Sequence, residues 1–318
     1  MKLSCEQIKK IAFGAVYTEE TEDGLKLFKC TPKQMAAWAS FSDFLGGGSR
    51  CTTGIRLDFH TSSKYITIEA TGRFELYLNG LYRETLIFDE ENPTKTASLV
   101  LPLSEENTDV RVTLIFPSHE QGILRAVELE DGATVLPHTF DRKMLFIGDS
   151  ITQGWNSGYD SLSYAWRTTI LLNAESVIHG VGGGYFHKDI FDSIDFDPDI
   201  VIIAFGTNDF GYYKTIDALK KNASDFLSAI AEEYGHKGKK LFYISPIWRE
   251  VQQKSMGSFK ECRATLVEVA ESYGFTHIDG LGLVPHDPEF FADKNLHPNA
   301  LGFGLYAENL ISELQKHI

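Results

Sequence analysis

Four residues far apart in the 318-residue chain have the types and the order that acyl-transfer chemistry requires. Ser150 lies in Phe146-Ile147-Gly148-Asp149-Ser150-Ile151-Thr152-Gln153-Gly154, where the apolar run Lys143-Met144-Leu145-Phe146-Ile147 enters a small polar turn. A hydroxyl at such a turn is a candidate nucleophile. Taken alone, a serine there is more often the N-cap of the next helix, so its downstream partners carry the argument. Thr152 stands where the G-x-S-x-G elbow would have its second glycine, so that motif is excluded. Gly180-Val181-Gly182-Gly183-Gly184-Tyr185 offers a turn whose backbone N–H groups can approach a substrate oxygen closely. It is not a dinucleotide loop, because Tyr185 replaces the last glycine of G-x-G-x-x-G. In Phe205-Gly206-Thr207-Asn208-Asp209, Asn208 is either a turn residue or an amide donor to a developing oxyanion. Finally, His297 precedes Pro298, which restricts it to an extended backbone. It sits on a loop before a helix start, a fit place for a general base.

The elements that must position these residues change character near residue 140. Before it, short alternating segments run at 54–59, 65–70, 74–80, 98–103, 109–116 and 123–129, with a turn signal at Asn79-Gly80. One polar face per segment predicts two packed antiparallel sheets, an N-terminal β-sandwich of jelly-roll type over residues 1–140. After it, strands at 144–148, 176–180, 200–205, 240–245 and 276–279 alternate with helices at 217–234, 259–273 and from 300 onward. Continuous apolar runs such as Ile200-Val201-Ile202-Ile203-Ala204-Phe205 mark strands buried on both faces. Gly235 and Gly274 stand where helix C-caps are expected. Residues 141–318 therefore read as a three-layer α/β/α domain with a parallel sheet and its chemistry at the carboxyl ends of the strands.

With a serine, a glycine turn, an asparagine and a late histidine in this order, the segment 142–318 resembles the SGNH hydrolases, the GDSL-type lipases and acylhydrolases. The resemblance implies Ser150 as nucleophile, His297 as base, and an oxyanion hole from Ser150, Gly183 and Asn208. Two departures stand out. Val177-Ile178-His179 lacks the asparagine that usually opens the second block, which leaves Gly180, Gly182, Gly183 and Gly184 all open as the oxyanion glycine. Lys294 occupies the usual place of the triad acid, three residues before the histidine, and Asp293 lies one further back. Either Asp293 reaches the imidazole through a local difference in the loop, or the enzyme is a Ser-His dyad. A β-sandwich followed by such a domain also resembles carbohydrate esterase family 2. That implies an acetyl ester on a sugar, with lipid or thioester acyl hydrolysis as the alternative and an inactive sugar-binding protein as a third. Trp155, Tyr159, Tyr185, Phe186, Tyr212 and Trp248 are candidates to line a sugar site, although aromatics more often belong to the core.

Composition excludes other classes. A net charge of −14 and a pI near 5.2 provide no basic stripe for nucleic acid and no attraction to anionic membranes. Cys5, Cys30, Cys51 and Cys262 show no C-x-x-C spacing, so free thiols of a reducing compartment are expected rather than a zinc site. No apolar leader and no run of about 18 apolar residues is seen, so the expected placement is cytoplasmic. The implied chemistry calls for no metal or organic cofactor and for a small-molecule or oligosaccharide ester as partner. Oligomeric state is not legible.

Overall fold

A computed structural model describes residues 1–22, 24–88, 96–103 and 108–318. By its contacts the chain divides into two units. The first comprises Met1–Cys30 and Arg50–Phe140, and the second comprises Thr31–Ser49 and Asp141–Ile318. The segment 31–49, grouped with the β-rich part in the sequence reading, thus belongs by its contacts to the second unit.

Among the described residues, the first unit holds helix α1 (Cys5–Ile11) and ten antiparallel strands. These are β1 (Ala12–Phe13), β2 (Tyr17–Thr21), β3 (Gly24–Phe28), β4 (Arg56–Thr61), β5 (Tyr65–Leu78), β6 (Leu81–Phe88), β7 (Thr96–Val100), β8 (Val110–Ile115), β9 (Ile123–Leu129) and β10 (Leu136–Pro137). The segments 65–70 and 74–80, read separately in the sequence, form one strand of 14 residues. Its first half pairs with β7 and β9, its second with β6 and β8, and the register with β9 shifts between Glu69 and Ala70. β5 therefore serves two groups of strands, with Gly72 (φ +120°) between them. Asn79 and Gly80 both adopt positive φ in the tight turn to β6, as the sequence signal requires. Alternating positions of β4, β5, β8 and β9 enclose an apolar core that includes Leu57, Phe59, Phe74, Leu76, Val112, Leu114 and Val127.

The second unit begins with two short helices, α2 (Pro32–Phe41) and α3 (Asp43–Arg50). The α/β part follows: β11 (Arg142–Gly148), α4 (Ser150–Gln153), α5 (Tyr164–Leu171), β12 (Ala174–Gly180), β13 (Ile200–Ala204), α6 (Asp209–Tyr212), α7 (Ile216–Tyr234) and β14 (Lys240–Ile244). A two-stranded hairpin, β15 (Gln253–Lys254) and β16 (Gly257–Ser258), leads to α8 (Phe259–Ser272), β17 (Thr276–Ile278) and α9 (Ala300–Leu314). Five strands form a parallel sheet in the order β12-β11-β13-β14-β17. The topological switch lies at β11, where a ligand site is expected. α5 packs with α9, and α7 with α8. Gly274 takes the left-handed conformation predicted for a helix end (φ +83°). Gly235 does not: it stays helical and passes into a 3₁₀ turn that ends at Gly238 (φ +73°). All four cysteines are free thiols. Among the described residues no helix is long and apolar enough to cross a membrane.

Candidate active site

Register places the three leading blocks side by side. Gly148 at the carboxyl end of β11 pairs with Gly180 of β12 and Ala204 of β13, so the turns carrying Ser150, Gly183 and Asn208 leave the sheet at one level. Gly148 must be glycine, because a Cβ there would lie 2.0 Å from Thr152 Oγ1. Asp149 caps α4 by accepting from the Ile151 N–H at 2.9 Å, and Gly154 ends that helix in the left-handed region. Ser150 is the first residue of α4 and only 6% exposed. Its N–H belongs to the first turn, where the helix provides no acceptor.

Ser150 Oγ lies 2.8 Å from His297 Nε2, and His297 Nδ1 lies 2.7 Å from Asp293 Oδ2. The contact to Asp293 depends on a local loop difference. Lys294 adopts φ +58°, a left-handed conformation that takes up one residue between acid and base. Asp293 Oδ1 then accepts the backbone N–H groups of Asn295, Leu296 and His297 at 3.0, 2.7 and 3.1 Å. Burial alone would raise this carboxyl. The Leu296 N–H, the His297 ring and the other backbone donors outweigh it and hold Asp293 below the usual carboxylate range. The loop is closed by Ala292 N–H to His297 O (2.8 Å) and Asn299 N–H to Phe290 O (2.9 Å), after which Asn299 caps α9.

Among the glycines of the second block the hydrogen bonds discriminate. Gly182 N–H donates to Gln153 Oε1 at 2.6 Å, and Gly184 N–H to the Val181 carbonyl at 2.9 Å. Gly183 lies between them at φ +79°, and its N–H has no acceptor among the described residues. Asn208 Nδ2 donates to Gly184 O at 2.9 Å, which fixes the amide and leaves its second N–H for another acceptor.

Sequence reasoning passed over several supports. Gln153 also accepts from Trp155 Nε1 at 3.2 Å. Asp209, fully buried, accepts the Phe186 N–H at 2.9 Å and so ties the Asn208 turn to the glycine loop. Burial raises Asp209 to about 7 and Asp149 to about 6. Arg249 Nη1 holds the Thr207 carbonyl at 2.7 Å. Of the aromatic candidates, the Trp155 ring lies 6.4 Å from that of His297, Tyr185 stacks on Tyr212 at 3.9 Å, and Phe186 is buried in the core. Trp248 contacts Phe291 on the His297 loop, and Tyr159 is exposed. Among the described residues no group of three or more His, Cys, Asp or Glu side chains is placed to hold a metal ion.

Three kinds of comparison bear on this arrangement. The model of the GDSL-like lipase/acylhydrolase family matches residues 146–305. No curated protein sequence matches the chain. Several solved structures share the fold. A salicylyl-acyltransferase from a tetracycline biosynthetic pathway is 21% identical with a TM-score of 0.79, the alignment covering 96% of this chain and 94% of that one. A family two carbohydrate esterase from Clostridium thermocellum, in complex with cellohexaose, is 16% identical with a TM-score of 0.68, covering 96% and 98%. An acetyl xylan esterase from the rumen bacterium Butyrivibrio proteoclasticus is 16% identical with a TM-score of 0.63, covering 99% and 98%. The family match spans half the chain and contains the serine, glycine and asparagine turns and the His297 loop, so the chain belongs to the GDSL-like lipase/acylhydrolase family and is an ester hydrolase.

Proposed function

We propose that the enzyme cleaves acyl esters of a carbohydrate or other polyol through an acyl-enzyme on Ser150. The observation that carries this reading is the unbroken line Ser150–His297–Asp293, with contacts of 2.8 and 2.7 Å. Ser150 Oγ gives its proton to His297 Nε2 and attacks the ester carbonyl. The oxyanion is held by the N–H groups of Ser150 and Gly183 and by the Asn208 amide. His297 then protonates the departing alkoxide, and water, activated by the same imidazole, releases the acid. Asp293 keeps the proton of the neutral ring on Nδ1, so that Nε2 is the acceptor.

The carbohydrate side of the reading is supported by fold likeness to carbohydrate esterases over nearly the whole chain. With that likeness as support, we also propose that the first unit is a jelly-roll-type sandwich and that acetyl esters are among those cleaved. The test is hydrolysis of p-nitrophenyl esters from acetate to dodecanoate and of peracetylated sugars, with Ser150→Ala as control. Turnover that disappears in Ser150→Ala supports the reading. Undiminished turnover in that variant removes Ser150 from the mechanism, and a preference for the longest chains replaces the sugar ester with a lipid.

A further inference from the structure

Beside Gly183 and Asn208 lies a recess of about 410 Å³, walled by Phe41, Phe44 and Leu45 from the 31–49 segment and by Tyr185 and Tyr212. We infer that this recess is the acyl-binding pocket and that the acyl group it selects carries an aromatic ring. The inference rests on the roles given above to Ser150 and His297.

The side of the ester that faces it follows from the chemistry. In the tetrahedral intermediate the oxyanion points to Gly183 and Asn208, and the leaving oxygen must face His297 Nε2 to be protonated. The remaining substituent, the acyl group, is the one we assign to the recess, which Gly183 and Asn208 also line. The 31–49 helices come within van der Waals reach of this point. A Cβ on Gly183 would lie 3.3 Å from the Phe44 ring and 3.4 Å from Leu45 Cδ2.

The helices are held firmly in the second unit. Thr31 caps α2 with a capping box and donates its hydroxyl to Asp192 at 2.7 Å. Gln34 Nε2 donates to Ile190 O at 3.1 Å, and Trp38 is buried. The Phe41 ring meets Tyr185 at 5.8 Å and His187 at 4.7 Å. Extended Ser42 then separates α2 from α3 and starts the turn that carries Phe44.

Size and lining specify the ligand. The volume falls within the roughly 300–1,000 Å³ of small-molecule sites and far exceeds the need of an acetyl methyl. Four aromatic rings converge, yet Phe44 remains 61% and Tyr212 53% exposed, an unusual cost for rings that only pack a core. Tyr212 stacks on the buried Tyr185 (3.9 Å, 20°), Phe41 is tilted by 32° to Tyr185, and the exposed rings of Tyr212 and Phe44 are left to meet a ligand. Stacked and edge contacts of this kind reward a planar ring beyond its buried area, which a linear alkyl chain cannot match.

The test compares p-nitrophenyl acetate, hexanoate and benzoate, each rate divided by that of its spontaneous hydrolysis in hydroxide. The wild-type protein, Phe44→Ala, Tyr212→Ala and Ser150→Ala are compared. The expected wild-type order in kcat/KM is benzoate first, and the benzoate-to-acetate ratio falls about tenfold in Phe44→Ala and in Tyr212→Ala. Acetate or hexanoate turned over in preference to benzoate, and lost in Ser150→Ala, overturns the pocket assignment while leaving the Ser150 mechanism standing. A ratio unmoved in both ring variants also overturns it. Turnover that persists in Ser150→Ala overturns the mechanism and the inference together.

Discussion

Replacing Asp293 by Asn tests the feature in which this chain departs most from its family. Asn keeps an oxygen for the three backbone N–H groups that Asp293 Oδ1 accepts, so the loop and the place of His297 are preserved. The other atom changes from acceptor to donor. It then faces His297 Nδ1 at the present 2.7 Å, and the imidazole proton is driven to Nε2, the atom that must receive the Ser150 proton. An inverted tautomer of this kind costs about 10⁴ in kcat in a serine protease triad. That corresponds to about 5 kcal/mol of transition-state stabilisation, and a similar loss in kcat/KM on p-nitrophenyl acetate is expected. Thermal unfolding monitored by circular dichroism should show a melting temperature within a few degrees of wild type. The companion is Lys294→Gly. Glycine accepts φ +58° without the penalty of roughly 1–2 kcal/mol borne by a side chain, so activity stays within a few-fold. The Lys294–Glu289 ion pair lost with it is exposed and contributes little. Lys294→Ile, β-branched, should lose activity by detaching Asp293. Asp293→Asn activity within a few-fold of wild type would refute the reasoning and leave a Ser-His dyad.

Two further outcomes follow from the same geometry. Asn208→Ala should lower kcat by roughly 10²–10³ with little change in KM, because the amide acts on the oxyanion and not on the bound ester; an equal loss in binding of a non-hydrolysable substrate analogue would count against that role. Asp149 and Asp209 are raised by burial to about 6 and about 7, above the ordinary carboxyl value near 4 in an unfolded chain. Between pH 4 and 7 the folded state therefore binds more protons than the unfolded one. The stability these groups contribute is fully present below pH 4 and is lost as pH rises through 6 and 7. At about 1.4 kcal/mol per unit, Asp209→Asn should shrink the drop in melting temperature from pH 5 to pH 8, whereas an undiminished drop would remove Asp209 as its source.

Much of this was legible in the sequence where the signal is local. Several of the parallel strands are marked by continuous apolar runs, and the observed β11–β14 and β17 begin or end within two residues of the segments read. The Asn79-Gly80 turn was fixed by its need for positive φ. What escaped depends on distant partners. The break between 65–70 and 74–80 looked like two strands because Gly72 interrupts the alternation, yet the neighbours of β5 on either side carry it through. The 31–49 segment, with its small residues and Gly46-Gly47-Gly48, has a weak local signal, and its alliance with the second unit is a long-range fact. Asp293 was misaligned with the family pattern by one residue because a left-handed lysine leaves no mark in the sequence. Gly183 could be distinguished from Gly182 and Gly184 only once their N–H partners were known.

The most direct test of the central claim is covalent labelling with a fluorophosphonate ester, followed by peptide mass spectrometry. The account predicts one phosphonate per chain, on Ser150, with esterase activity falling in proportion to labelling and no labelling in Ser150→Ala. Full labelling at another residue, or ester hydrolysis that survives complete modification of Ser150, would contradict it.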